Sequence, residues 1–255
     1  MTMKSTKIYY DKELKLKDPI MIVGLPGIGG VGSLVAEHLK NEFKAKKFAT
    51  LYSPHFIHQT IMLSDGRLRL VNNRFYHANI GKNDVVLLVG DTQATTPEGQ
   101  YEVNEKIVKF FKALGGKSVY TVGGYNISGN YVDYPRVFGV ATTKKMIESL
   151  SGTGIIFGKA TGAVWGSAGL IPAFSKKYNI DAACVMGETG ALEIDANAAK
   201  SVLQELSKVL GVKINLNNID KIKKETERVI KEMEEAAKNM PENQQPTRDN
   251  LSYIR

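Results

Sequence analysis

The densest run of residue types that can do chemistry is Gly24-Leu25-Pro26-Gly27-Ile28-Gly29-Gly30-Val31-Gly32. Gly27, Gly29 and Gly32 satisfy G-x-G-x-x-G, with Gly30 inside the same loop. Such glycines permit a tight turn and let backbone N–H groups at a helix start approach an anion. A dinucleotide site also needs an acid on the ribose, about 20 residues further on. Here the next expected strand, Phe48 to Tyr52, runs into Ser53-Pro54-His55 instead. The loop therefore reads as a structural turn or a small anion site rather than a nucleotide cradle. G-x-x-x-x-G-K-[ST] is missing as well, so neither an ATP-driven motor nor any cofactor is expected.

Other reactive side chains are sparse. His55 and His58 can share a turn, but His38 and His77 stand apart, and no Cys or carboxylate completes metal-ligand spacing. Gly166-Ser167-Ala168-Gly169 echoes a nucleophile elbow but lacks the residue between serine and the second glycine. Cys184, the one cysteine, sits in the strand-like run Ala182–Met186 and reads as a small core residue in a reducing cytosol. Asp91 and Glu188 follow strand-like runs. Glu188 either acts at the C-terminal edge of a sheet or accepts N–H bonds of its own loop.

These residues need a frame. Short apolar runs at Ile20–Val23, Val85–Val89, Ser118–Val122, Ile155–Phe157 and Ala182–Met186 suit strands covered on both faces. Asp65-Gly66, flanked by Ile61-Met62-Leu63 and Leu68-Arg69-Leu70, is a hairpin signal and makes a mixed sheet the expectation. Val35, Leu39 and Phe43 repeat at helical spacing. Thr96-Pro97-Glu98 starts another helix, with Val103, Ile107, Phe110 and Leu114 as its stripe and Gly115-Gly116 as its end. Ala198, Val202, Leu206 and Val209 form a third, closed by Gly211. The expected fold is α/β, a mixed and largely parallel sheet flanked by helices over residues 1–215. Residues 216–240 form a charged helix whose apolar positions, Ile222, Val229 and Met233 among them, alternate by three and four. That seam fits self-association or packing against the helix's own domain. Residues 241–255 are a flexible tail that ends on Leu251-Ser252-Tyr253-Ile254-Arg255.

The chain has 255 residues, 43% hydrophobic, with a net charge of +8. No apolar run approaches the roughly 20 residues of a membrane span. The lysines are scattered among acids, so a solvated basic surface is expected rather than a nucleic-acid or membrane footprint.

With Ile22-Val23 before it, the glycine loop resembles the start of the proteasome assembly chaperone family. Three further stretches are similar, in order: Val89-Gly90-Asp91-Thr92-Gln93 with Val122-Gly123-Gly124-Tyr125, then Gly162–Leu170, then Ile180–Gly190. The resemblance covers roughly residues 20–210. It implies a nucleoside-phosphorylase-like fold, no need for catalysis and, for archaeal forms, association with the twenty-S proteasome. The rival it leaves is a phosphorylase-like enzyme near the glycine loop, Asp91 and Glu188, although no basic phosphate clamp is visible in that loop. The resemblance also gives the tail a role. Proteasome activators end in hydrophobic–Tyr–any, whose Tyr and carboxylate enter a pocket between α-subunits. Tyr253 is third from the end rather than second, a departure of one position, and Leu251, Ile254 and Arg255 are the other expected contacts. The expected partners are proteasome α-subunits and further copies of the chain, a tetramer being one candidate size, in the cytoplasm.

Overall fold

The computed structural model describes residues 4–11, 14–127, 132–159, 162–190, 194–222, 224, 225 and 228. In chain order the first elements are β1 (Lys7–Tyr10), β2 (Ile20–Gly24), α1 (Val31–Glu42), β3 (Lys46–Tyr52), β4 (Thr60–Met62) and β5 (Leu68–Leu70). They are followed by β6 (Asn73–Ile80), β7 (Asn83–Gly90), α2 (Pro97–Ala113), β8 (Ser118–Asn126) and β9 (Val137–Ala141). The last are α3 (Lys144–Ser149), β10 (Ile155–Phe157), α4 (Ser167–Lys177), β11 (Asp181–Thr189) and α5 (Ala196–Leu210).

Nine strands form one sheet in the order β1-β3-β6-β7-β2-β8-β11-β9-β10. The central strands β7, β2, β8 and β11 run parallel, as do β9 and β10. The pairs β1/β3, β3/β6, β6/β7 and β9/β11 are antiparallel, so the sheet is mixed. The Asp65-Gly66 hairpin forms as expected, but β4 and β5 make a separate two-stranded sheet. The antiparallel character of the main sheet comes from other strands.

Central strands alternate their side chains between two cores, which is why they read as continuous apolar runs. Ile22, Leu87, Val122 and Val185 pack with Val35 and Leu39 of α1 and with Val202 and Leu206 of α5. On the opposite face Val23, Val86, Leu88 and Val119 pack with Ile107 and Phe111 of α2 and Ile171 of α4. Caps define the helix ends. The Thr96 hydroxyl accepts the Gly99 N–H at 3.1 Å with Pro97 in the first turn, and Asp195 accepts the Ala198 N–H at 2.9 Å. Gly211, at φ 66°, closes α5 in the left-handed conformation.

After α5 the chain crosses to α1. His38 Nε2 lies 2.8 Å from the Asn215 carbonyl, and residues 217–222 are helical with Ile219 buried. Ile222 packs against the domain's own core, whereas Val229, Met233 and residues 251–255 lie outside the described residues. Among the described residues no helix is long and apolar enough to cross a membrane.

Candidate functional site

The C-terminal ends of β2 and β8 open onto a cleft of about 550 Å³. One wall is the glycine loop and the other is the turn into α4, residues 162–168. The loop leaves β2, makes one 3₁₀ turn over Ile28–Gly30, and enters α1 with Gly30 as its N-cap. The Gly27 carbonyl accepts the Gly30 N–H at 3.0 Å. Gly29 has φ 62°, and a Cβ there would stand 2.8 Å from Thr189 Oγ1. Gly32 answers a different demand, because a Cβ would stand 2.6 Å from the Val122 carbonyl oxygen. Two of the fingerprint glycines are thus required by the way the loop lies on β8 and β11.

Gln93 joins the two walls. Its Nε2 donates to the Pro26 carbonyl at 2.6 Å, and its Oε1 accepts the Ser167 N–H at 2.8 Å at the start of α4. Thr121 Oγ1 donates to the Ala168 carbonyl at 2.7 Å beneath them. Ser167, which echoed a nucleophile elbow, therefore serves the helix start. Leu25, Val122, Val164 and Met186 line the cleft, and no described lining residue carries a formal charge. Trp165 stands on the rim with 85% of its surface exposed. The glycine content of this region gave no sign of either the Gln93 tie or the exposed indole.

The two acids flagged at strand ends do not meet. Asp91 follows β7 and Glu188 lies in β11, and the order β7-β2-β8-β11 puts three strand spacings, about 14 Å, between them. Each is engaged by arginine. Asp91 accepts bonds from Arg69, from Arg74 at 2.9 Å and from the Asn72 N–H at 2.9 Å. Burial pushes its pKa up, but these donors outweigh it and hold the carboxyl below the usual range. Glu188 is buried and takes both the guanidinium and the backbone N–H of Arg136, 52 residues earlier. The Arg136 bonds hold its pKa down against burial. The donor lies outside Glu188's own loop; Arg136, which also lies 5.2 Å from the Phe138 ring, gave no local signal in the sequence.

His55 and His58 share no ligand set. His55 Nε2 lies 3.1 Å from Glu102, and among the described residues no group of three or more His, Cys, Asp or Glu is placed to hold a metal ion. Cys184 is fully buried in β11, and burial pushes its thiol pKa up to about 11.

Several known proteins share this chain's sequence and architecture. It is 37% identical over 242 residues to an uncharacterized protein of Methanocaldococcus jannaschii, spanning 94% of this chain and 93% of the relative. The crystal structure of Pyrococcus furiosus PbaB, an archaeal proteasome activator, is similar at a TM-score of 0.85 and 37% identity. That likeness covers 91% of this chain and 100% of PbaB. Pyrococcus furiosus PbaA, an archaeal homolog of proteasome-assembly chaperone, shares the fold at a TM-score of 0.75. Its identity is 24%, over 93% of this chain and 96% of PbaA. The model of the PAC2 family matches residues 21–234, most of the body and none of the last five residues, and the chain belongs to that family.

Proposed function

We propose that this protein binds the α-ring of the twenty-S proteasome in the cytoplasm and acts there as an assembly chaperone or ATP-independent activator, docking through residues 251–255. The observation that carries this reading is the 37% identity to PbaB, an archaeal proteasome activator, across 91% of the chain. The tail supports it on chemical grounds. Leu251, Tyr253 and Ile254 are apolar anchors that follow the polar, proline-containing stretch 241–250. Fully extended, that stretch reaches about 33–36 Å. Several tails on one oligomer raise the effective concentration at neighbouring pockets by roughly 10² to 10⁴. The seam through Val229 and Met233 is one means of holding copies together.

The test is a pull-down of proteasome α-subunits with the full chain and with residues 251–255 deleted, alongside light scattering. The intact protein is expected to retain the α-subunits. Deletion should abolish binding without changing thermal stability or mass, and Tyr253→Ala should weaken binding strongly. Equal binding by the truncated protein would move the contact to the α/β body and end the tail reading.

A further inference from the structure

The cleft at the C-terminal ends of β2 and β8 is set apart by its neutrality. Charged residues make up 24% of the chain, yet no described residue lining the cleft carries a formal charge. A cavity of about 590 Å³ at the opposite ends of the same strands is lined by Lys17, Lys82, Lys117, Lys145, Asp18 and Asp84 among others. Neutrality is therefore local to one end of the sheet.

The cleft also holds room that the fold does not use. Gly124 is fixed by packing, since a Cβ there would stand 2.5 Å from the Ile28 carbonyl oxygen. Gly27 and Gly123 are not. Neither has a left-handed φ, and a Cβ would find nothing nearer than 3.8 Å at Gly27 or 3.6 Å at Gly123. Two successive residues of β8 thus lack side chains between Val122 and Tyr125, both of which line the cleft. The walls are held without an occupant. Gln93 ties the Pro26 carbonyl to the Ser167 N–H and Thr121 anchors the Ala168 carbonyl, so the opening is built into the fold. On its rims two apolar side chains stay uncovered, Trp165 from one wall and Ile28 from the other, the latter by 45%. An indole in water gains nothing from its ring until a flat partner covers it.

We infer that this cleft is a binding site for a small, uncharged, flat ring compound, held between the glycine backbone of β8 and the Trp165 indole. Size agrees, because about 550 Å³ falls within the roughly 300–1,000 Å³ of sites that enclose such molecules. Placement agrees too. α1 packs on one face of the sheet and α4 on the other, so the chain parts at this point, as it does at the ligand crevices of open α/β sheets. Charge selects the ligand class. A phosphate, carboxylate or ammonium group would leave water here with no described side chain of opposite charge to meet it, whereas a neutral ring carries no such cost. The inference stands apart from the α-ring reading, since it concerns the α/β body and not what the tail binds.

Titration of the full chain with N-phenyl-1-naphthylamine tests it, read by the probe's own emission and by that of Trp165, the one tryptophan of the chain. The counterpart probe, 8-anilino-1-naphthalenesulfonate, carries the same rings with a negative charge. The parent should bind the neutral probe saturably, lose Trp165 emission as it does so, and bind the sulfonate at least about tenfold more weakly. Trp165→Ala changes an exposed position, so it should unfold at the parent's temperature while weakening the neutral probe about tenfold. Gly123→Val sets a branched side chain in the cleft and should abolish binding; if that variant does not fold, Trp165→Ala decides. No saturable binding by the parent, equal affinity for the two probes, or unchanged affinity in Trp165→Ala overturns the inference. So does a parent that binds neither probe while Trp165→Ala captures fewer α-subunits, which would assign the cleft to the proteasome instead.

Discussion

The glycine loop and the β4–β5 hairpin are both glycine-containing turns between apolar segments, and they are used in opposite ways. At the glycine loop the chain is pressed inward. Leu25 is buried, and Gly32 leaves no room for a side chain between α1 and the Val122 carbonyl. At the hairpin, Gly66 has φ 82° with nothing within 4 Å of the place its Cβ would take, and the flanking Met62 and Leu68 face water. One glycine supplies space and the other supplies a backbone conformation. A glycine motif therefore states two different needs in the same letter, and the neighbours decide between them.

The largest expected effect breaks the inward turn. Gly32→Val should cost more than about 3 kcal/mol, because backbone on both sides cannot yield, and thermal unfolding would read the loss. A stable Gly32→Val protein would mean that α1 has room to move off β8. Next comes the anchor of the outward turn. Asp91→Ala strands Arg69 and Arg74 and should cost about 1–3 kcal/mol in denaturant unfolding. Because the folded carboxyl titrates below its ordinary value, its contribution is complete at neutral pH. It declines as the pH falls below about 4, and Asp91→Asn should remove that part of the acid limb. Gly66→Ala should cost only about 1–2 kcal/mol, the strain of a left-handed alanine without a clash. That gap between Gly32 and Gly66 is the comparison in its sharpest form. The smallest effect is none: titration with NAD, ATP or ADP should show no binding tighter than about millimolar, since the loop packs Gly29 and Gly32 against protein. A micromolar constant would reopen the nucleotide reading.

Much of the frame was readable from local pattern. β2, β7, β8 and β11 fall on the continuous apolar runs, and the Thr96 and Gly211 caps stand where their residue types put them. β6 was not readable, because Arg74 and His77 interrupt its alternation. Arg74 reaches Asp91 and His77 lies 2.7 Å from Asp84, so each of these polar side chains finds an acid within the fold. α4 was hidden by Gly166, Gly169 and Pro172, residues that argue against a helix unless tertiary contacts override them. The glycine wall of the cleft was legible, whereas its tie through Gln93 to residues 26 and 167 was not.

Composition and periodicity settled the α/β class, the buried central strands and the turn at Asp65-Gly66, because each depends on neighbours a few positions apart. Which face of that hairpin meets water, and which arginine holds Asp91 or Glu188, depended on partners 17 to 52 residues away. Those choices belong to the tertiary structure. A period of two says that side chains alternate but not which set turns inward, and a carboxylate does not select its cation until the sheet has brought the two strands together.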